Sequence, residues 1–366
     1  MFRKEIWRQF DFWLFGAVVF LCLFGIVMIR SAIAGSPGLE GYDTRQTQFV
    51  AVGIAIIIFM TLVDYHFWSS LTLLMYTVAV LLLLVIFVAG AAHFGAARWL
   101  ELGTYFIQPA EIGKIVIILA LADYFSKTQA DKKDLRWILR SFLLVAGVVV
   151  WILLQPNLST SIVIFVIWFS MLWISGLPPK YLAIFAVAGL VVAAAAYPFL
   201  EDYQQTRIKD FLFPDPNARH GNIYNVQQAL IAIGNGGVFG LGYGHGTQVQ
   251  LRFLKVRHTD FIFSAMAEEF GFVGTILVVA LLVFVILRCL RAARTARDTY
   301  GSMIAYGFTT LIFFQTIVNI GVNLKVIPVT GLTLPFISYG GSSLISMVVG
   351  IGLIESVLVR RAMPGE

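Results

Sequence analysis

Long apolar stretches separated by short polar segments make up most of this chain. The first covers residues 12–34, and nine more, each long enough to cross a bilayer, follow it. They cover residues 47–64, 67–92, 107–126, 137–155, 159–176, 181–200, 260–287, 302–322 and 336–358. This pattern predicts an all-α polytopic membrane protein with ten transmembrane helices, because a helix needs about 20 apolar residues to span the hydrocarbon core. We expect residues 1–366 to form one integral-membrane domain.

One long polar insertion, at about 201–259, interrupts the pattern between the seventh and eighth predicted helices. Long loops between packed helices are usually functional. Within the insertion, residues 234–246 (GNGGVFGLGYGHG) are rich in glycine, which permits tight turns and close backbone approach. No strand precedes this run and no βαβ pattern surrounds it, so the sequence argues against a dinucleotide site. It predicts a re-entrant or surface-lying segment instead.

The composition excludes an ordinary soluble domain. Hydrophobic residues make up 59% of the chain and charged residues 13%, about half the charged share of soluble proteins. The net charge of +6 comes from residues mostly at the ends of predicted spans, so it indicates orientation and not nucleic-acid binding. With both termini cytoplasmic, fifteen of the 26 Lys and Arg residues lie inside and the 201–259 loop is extracellular. Cys22 and Cys289 are far apart and predict neither a disulfide framework nor a metal cluster.

A carboxylate stands where the apolar pattern resumes after the long insertion. Asp260 follows Arg257 and His258, and Glu268 comes eight residues later on roughly the same helical face. An ionised acid is costly inside a membrane, so an acid here predicts a functional cavity. The alternative is a helix cap, in which Thr259 or Asp260 satisfies the first amides of the helix. We favour the functional interpretation because acids continue inward to Glu268.

A second polar cluster follows residue 97. Glu111 and Lys114 are three residues apart, so they share a helix face and can neutralise each other inside the membrane. Taken alone, the pair could be a buried ion pair that only fixes helix packing. Arg98 adds a second cation on the same predicted side of the membrane as Asp260. Two cations beside a carboxylate suit a diphosphate substrate.

Several stretches together resemble one protein family over nearly the whole chain. They are GAARWLELG with FIQPAEIGK, QPNLSTS, the run from IAIGNGG to SAMAEEFG, and the closing PFISYGGSSL. The chain is similar to the shape, elongation, division and sporulation (SEDS) proteins, which are bacterial peptidoglycan polymerases. Its RHTDF motif and GTQVQL lead-in resemble the elongation branch. In QPNLSTS the family often has an acid, where this chain has Asn157 and Ser159, so any role of that acid is not carried over.

The resemblance implies a glycosyltransferase that polymerises lipid II, an undecaprenyl-diphosphate disaccharide-pentapeptide, at the outer face of the plasma membrane during cell elongation. It implies that Asp260 is the catalytic general base. The candidate substrate-binding residues are Arg98, Glu111, Lys114, Arg257, His258, Glu268 and Ser338. No metal ligand is assigned, although a magnesium or manganese ion could assist the departing diphosphate.

The resemblance also implies partners. These are a class B penicillin-binding protein, which crosslinks the new strands, and other proteins of the elongation complex. The single membrane helix of the former needs an apolar groove, and we predict one on the ninth helix at Gly307 and Phe314.

Two other function classes stay open. One is a flippase for the same lipid, since a charged membrane cavity also suits a carrier. The other is a non-catalytic scaffold of a wall-synthesis complex. A flippase would tolerate loss of Asp260 as a base if polarity were kept, whereas a scaffold would tolerate loss of every cavity charge.

Overall fold

The computed structural model describes residues 7–93, 99–102, 105–215 and 220–361, and over these residues the chain is almost entirely helical. We number the helices in chain order. They are α1 (Phe12–Ile33), α2 (Tyr42–Leu62), α3 (Tyr65–His93), α4 (Pro109–Lys127), α5 (Leu135–Leu154), α6 (Leu158–Ile174), α7 (Lys180–Ala196), α8 (Asp202–Leu212), α9 (Gly221–Gly236), α10 (Thr247–Gln250), α11 (Ile262–Thr295), α12 (Thr299–Asn323) and α13 (Gly341–Val359). An antiparallel hairpin of β1 (Leu100–Leu102) and β2 (Tyr105–Ile107) lies between α3 and α4 and departs from the all-α prediction.

A helix covers most of each of the ten apolar stretches, but two of these helices differ from the rest. Eight helices of the described residues are long and apolar enough to cross a membrane, as in a polytopic membrane protein. The other two are α4, which carries Glu111 and Lys114 among its charges, and α6, which has 17 residues. Helix α7 is as short as α6, but a 3-10 turn continues it to Phe199 and gives a span of 20 residues. Length and composition therefore support eight spans, and the count of ten stays a prediction.

Helix α12 occupies a central place in the bundle, in contact with α4, α6, α11 and α13. Gly307 of α12 is buried, and a side chain there would run into Ile118 of α4 and Met171 of α6. Phe314 lines the internal cavity described below. The predicted partner groove is therefore wrong at Gly307, which is buried between helices, whereas Phe314 is partly exposed and its place in a groove stays a prediction.

Helix α13 packs closely on α2 through small residues. Side chains at Gly341 and Gly352 would run into Phe49 and Met60 of α2, respectively. Such close approach is the use of small residues that the closing motif predicts. The helix begins at Gly341, later than the predicted start at residue 336, because the preceding segment takes an irregular path with Phe336 at a φ of 66°.

The polar insertion folds into α8, α9 and α10, and its glycine-rich part packs against α11. Gly271 interrupts the helical conformation of α11 with a φ of 64°. The amides of Gly242 and Phe272 donate across the contact to the carbonyls of Glu269 and Gly237, each at 2.9 Å. A Cβ on Gly240 would overlap the Glu269 carbonyl. The glycines thus let one backbone pack directly on another.

The start of α11 corrects the sequence interpretation of the Asp260 stretch. The helix begins at Ile262, its N-cap residue is Phe261, and no side chain caps it. Asp260 stands in a turn that the amide of Phe261 closes by donating to the Val256 carbonyl at 3.2 Å. Asp260 therefore does not share a helical face with Glu268, and the helix-cap alternative is wrong as well.

Candidate active site

A cavity of about 600 Å³ lies where α4, α6, α8 and α12 meet the segment that joins α12 to α13. This volume is within the range of small-molecule sites in proteins. The residues that line it are Trp99, Gln108, Glu111, Pro156, Asn157, Leu158, Ser159, Thr160, Ile162, Tyr203, Gln204, Arg207, Ile208, Thr259, Asp260, Phe314, Gln315, Val318, Ile327, Pro328, Val329, Thr330, Gly331, Leu332, Thr333, Tyr339, Gly340, Ser342 and Ser343.

Asp260 reaches this cavity from the turn before α11. Its side chain is partly exposed, and within the described residues no Lys, Arg or His nitrogen lies within ion-pair distance of its carboxylate. Gly331 lies across from it with a φ of 78°, and a Cβ there would be 3.7 Å from Oδ2 of Asp260. The missing side chain at Gly331 leaves room for another molecule beside the carboxylate.

The surroundings of Asp260 make its carboxylate more basic than usual. Burial raises the pKa of Asp260 from 3.8 to about 6, and the nearby charge of Arg207 and the Thr259 side chain oppose the rise in part. A carboxyl group with this pKa is ionised at neutral pH but still accepts a proton readily. A carboxylate placed in this way can accept a proton from a molecule in the cavity.

Arg207 of α8 is the cation that the described part of the chain places on the cavity wall. Its Nη1 donates to the Thr330 carbonyl at 3.3 Å, and its guanidinium lies 5.5 Å from the ring centre of Tyr203. Its Nε is buried without a hydrogen-bond acceptor among the described residues. The sequence does not single out Arg207 as a site residue, because it is one of several basic residues in the insertion and has no motif around it.

Glu111 and Lys114 form the ion pair that their spacing predicts. Lys114 Nζ lies 2.6 Å from Glu111 Oε2, and Ser346 Oγ of α13 donates to the same oxygen at 2.8 Å. Glu111 lines the cavity, whereas Lys114 is fully buried behind it. The expected diphosphate site of Arg98 and Lys114 therefore has no support from Lys114, and Arg98 lies outside the described residues.

Arg257 and Ser338 hold the turn that carries Asp260. The guanidinium of Arg257 is buried and donates to the carbonyl of Ala32, in the last turn of α1, at 2.6 Å and to Oγ of Ser36, just beyond α1, at 2.5 Å. Ser338 Oγ donates to the Thr259 carbonyl at 2.7 Å. Neither residue lines the cavity, so the structure places both as supports of the turn and brings neither into direct reach of a ligand.

His258 is enclosed by aromatic rings. Its ring centre lies 5.7 Å from that of Tyr42 and 6.0 Å from that of Tyr339. Burial, and to a smaller extent the charge of Arg257, lowers the pKa of His258 to about 4. A neutral imidazole at neutral pH carries no charge for binding an anion, and His258 does not line the cavity.

Glu268 belongs to a different part of the molecule. It is fully buried, and its carboxylate accepts from the amide of Gln248 at 2.9 Å, the amide of Val249 at 3.3 Å and Thr247 Oγ1 at 3.1 Å. These donors belong to the short helix α10. Glu268 therefore fixes the insertion to α11, and the structure does not bring it to the cavity.

Three carboxamide side chains follow one another along α12 at intervals of four residues. Gln315 lines the cavity, and its Oε1 is buried without a hydrogen-bond donor among the described residues. Asn319 and Asn323 donate from Nδ2 to the Asp260 carbonyl at 3.0 and 2.9 Å. No family motif marks this row, but Gln, Asn and Asn at a spacing of four in an apolar helix indicate one polar face.

The turn before α6 explains the departure at QPNLSTS. The Asn157 side chain accepts from the Thr160 amide at 3.3 Å and so caps α6. Asparagine caps helices about as well as aspartate. Asn157 and Ser159 both line the cavity, so the turn before α6 forms part of the cavity wall without a negative charge.

The donor set gives little support for a metal site built by the protein alone. Within the described residues, no group of three or more His, Cys, Asp and Glu side chains is arranged to hold a metal ion. Glu111 is already paired with Lys114, which leaves Asp260 as the ionised oxygen ligand on the cavity wall.

Comparison with known proteins relates this geometry to a family. The model of the cell cycle proteins FtsW, RodA and SpoVE matches residues 12–362. The chain is similar to the peptidoglycan glycosyltransferase MrdB of Escherichia coli, with 34% identity over 94% of this chain and 92% of that protein. It is also similar to the probable peptidoglycan glycosyltransferase FtsW of Aliivibrio salmonicida, with 34% identity over 94% of this chain and 88% of that protein.

Two solved structures are similar throughout their length. One belongs to a peptidoglycan synthase complex in which polymerization and crosslinking are coordinated, with a TM-score of 0.80, 30% identity, and coverage of 97% of this chain and 99% of that one. The other is the rod shape determining protein RodA of Thermus thermophilus, with a TM-score of 0.71, 29% identity, and coverage of 97% and 98%.

Proposed function

This chain belongs to the FtsW, RodA and SpoVE family of cell cycle proteins, and from that membership we propose that it polymerises lipid II with Asp260 as the general base. It is a peptidoglycan glycosyltransferase with the fold of RodA. The observation that carries the proposal is a half-buried carboxylate with a pKa of about 6, open to a cavity of about 600 Å³.

The proposed reaction is one displacement at the anomeric carbon of the donor sugar. Asp260 takes the proton of the acceptor hydroxyl, the hydroxyl oxygen forms the new glycosidic bond, and the bond to the undecaprenyl diphosphate breaks with inversion. The diphosphate leaves as an anion and needs no proton, so a single carboxylate suffices, unlike the paired carboxylates of glycosidases.

Arg207 is our candidate for the charge that stabilises the departing diphosphate. Its guanidinium lies on the wall with Asp260 and is the cation that the described part of the chain places there, so a phosphate oxygen in the cavity could accept a hydrogen bond from it. We assign this role to Arg207 and not to Lys114, because Lys114 is fully buried and already neutralised by Glu111. The proposed reaction includes no magnesium or manganese ion, because within the described residues no three His, Cys, Asp or Glu side chains are grouped to hold one.

The proposed setting is the plasma membrane, with ten spans, both termini cytoplasmic and the 201–259 insertion outside. Support comes from the basic residues at span ends, such as Arg291 and Arg294 of α11. Membrane-impermeant thiol labelling of intact cells tests it: a cysteine at exposed Lys209 should react, whereas one at exposed Arg291 should not. The reverse pattern would refute the orientation.

We further propose that the chain works in cell elongation with a class B penicillin-binding protein. The support is that the similar complex coordinates polymerization and crosslinking. Co-purification of this chain with such a transpeptidase tests the partnership, and a failure to co-purify after joint expression would count against it.

The deciding experiment is polymerisation of purified lipid II in detergent. Wild-type protein should make glycan strands, and the Asp260→Asn variant at equal expression should make almost none. A flippase has no role in this assay because no bilayer separates enzyme from substrate. Strand synthesis by the variant at the wild-type rate would refute Asp260 as the base, and no synthesis by the wild type with its partner would refute the polymerase assignment.

A further inference from the structure

We infer that Asn319 and Asn323 are positioning residues, which together hold the backbone of Asp260 and so set where its carboxylate stands in the cavity. The inference rests on the proposed role of Asp260. It concerns a part of α12 that touches the Asp260 turn from behind and that neither the sequence motifs nor the cavity wall singles out.

The two carboxamides converge on one backbone oxygen. Nδ2 of Asn319 and Nδ2 of Asn323 donate to the Asp260 carbonyl at 3.0 and 2.9 Å. Both side chains are buried, with exposures of 1% and 0%. A buried amide that donates to a carbonyl in such surroundings has no water to exchange with, so these hydrogen bonds hold the carbonyl in one place.

Asn319 also ties Asp260 to the opposite side of the cavity. The same Nδ2 donates to the Leu332 carbonyl at 2.8 Å, and Leu332 follows Gly331, the residue across from the Asp260 carboxylate. One side chain therefore sets the separation of two walls, between which the proposed acceptor hydroxyl would lie.

Asn323 is in turn held from the other side. Its Oδ1 accepts from the Ser264 amide at 3.1 Å and from Ser264 Oγ at 2.6 Å, in the first turn of α11. Its Nδ2 also donates to the Asn319 carbonyl at 2.8 Å. The carboxamide orientation is thus fixed by two donors from α11, and Asn323 links the Asp260 turn to the start of the helix that follows it.

These hydrogen bonds matter for the rate because they fix the position of the Asp260 backbone. Asp260 lies outside α11, so no helical hydrogen bonding fixes its carbonyl. A misplacement of about 1 Å in a catalytic group can cost on the order of 10²-fold in rate. We therefore expect Asn319→Leu, which removes both donated hydrogen bonds with little change of volume, to lower kcat by about that factor while the KM for lipid II changes little.

The alternative role is general support of the bundle, and the pH profile separates the two. In the wild type the rate should fall below about pH 6 as Asp260 takes up a proton. In Asn319→Leu the freed turn can move toward water, so burial should raise the pKa of Asp260 less and the fall should begin at lower pH. A loss of bundle stability alone would lower the amount of active protein and leave this profile in place.

A double-variant cycle gives a second readout. If Asn319 acts through the carboxylate of Asp260, Asn319→Leu should not lower the residual rate of Asp260→Asn any further. If it acts by general support, the two losses should multiply. The matched control is Thr316→Val on the same helix, because Thr316 is buried but donates only to the Ile312 carbonyl of its own helix.

The outcomes separate this inference from the proposed function. An Asn319→Leu rate and pH profile equal to those of Thr316→Val would overturn the positioning role while leaving Asp260 as the base. An Asp260→Asn variant with wild-type activity would overturn the proposed function itself. Should Asn319→Leu not fold, Asn323→Ala decides, since it keeps both hydrogen bonds of Asn319 Nδ2, to Asp260 and to Leu332, and should show the same shift with a smaller loss of rate.

Discussion

Asp260 and Glu268 are eight residues apart in the sequence, but their carboxylates have opposite environments. Around Asp260 the carboxylate is partly exposed, faces a cavity and has no ion-pair partner among the described cations. Around Glu268 the carboxylate is fully buried and accepts hydrogen bonds from three donors of Thr247, Gln248 and Val249. In the first region hydrogen bonds hold the backbone, and the carboxylate is not used to hold the fold together. In the second region the carboxylate itself accepts the hydrogen bonds that join α10 to α11.

The two environments show what suits a carboxylate to catalysis or to structural support. A carboxylate whose lone pairs are already used stabilises the fold but cannot accept a proton without losing those bonds. A carboxylate with unused lone pairs and a raised pKa adds little to the fold but can act as a base. The following predictions test this division, from the largest expected effect to the smallest.

Removal of the charge of Asp260 should abolish activity and spare stability. Asp260→Asn should lower kcat on the order of 10²- to 10⁴-fold, the usual loss with a general base. Because its folded pKa is raised, the folded state binds the proton more tightly, and this carboxyl lowers stability as pH rises from about 4 to about 6. The variant should therefore have an equal or higher Tm at pH 7. A lower Tm would contradict the division.

Removal of the Glu268 carboxylate should lower stability and change activity little. Glu268→Ala removes the acceptor of the buried Val249 amide, the part-buried Gln248 amide and the hydroxyl of exposed Thr247, which should cost on the order of 2 kcal/mol of stability. We expect a lower Tm in detergent, with activity per folded molecule within a few-fold of wild type. A loss of rate as large as that of Asp260→Asn in protein that remains folded would assign Glu268 a direct role in the reaction.

Arg207 tests the cavity side of the comparison. Arg207→Met keeps much of the side-chain length but removes the charge, and loss of a charge-assisted contact to the diphosphate should lower kcat/KM roughly 10- to 100-fold. The matched control is Lys209→Met on the same helix, because Lys209 is exposed and does not line the cavity. Equal effects of the two substitutions would mean that only the overall positive charge of α8 matters.

The pH dependence of the wild-type rate should report Asp260. A base with a pKa of about 6 is mostly ionised at pH 7, so the rate should be nearly constant above pH 7 and fall about tenfold per pH unit well below pH 6. His258, with a pKa of about 4, is neutral throughout this range and should not contribute. A midpoint near pH 4 would show that the bound substrate or the membrane removes the effect of burial.

Gln315 should give the smallest effect. Gln315 lines the cavity but its Oε1 is buried, so a substrate hydroxyl or amide would reach this oxygen only after a small movement of the side chain. A neutral hydrogen bond contributes about 0.5–1.5 kcal/mol, so Gln315→Leu should raise the KM for lipid II roughly 2- to 10-fold and leave kcat almost unchanged. An unchanged KM would show that Gln315 contributes only to the packing of α12.

Much of the architecture could be predicted from the chain alone. The apolar stretches coincide with helices α1–α7 and α11–α13, and the small residues of the closing motif pack as expected. These features follow from local properties, because each span needs a continuous apolar run and each close contact needs a small side chain. The position of Asp260 before an apolar helix could also be predicted from the sequence, because it too is a local feature.

The composition of the cavity was decided only by the tertiary structure. The chain pattern put Asp260 and Glu268 on one face, but a two-residue difference in the start of α11 sends one to the cavity and the other to α10. The Arg207 contact with Thr330 spans 123 residues, and the Asn319 contact with Asp260 spans 59. Hydrophobic periodicity along the chain determines which residues form each helix, because each helix must bury the apolar surface of its own residues. Which polar groups meet depends on how the helices and loops dock, and that is settled only when all of them pack together.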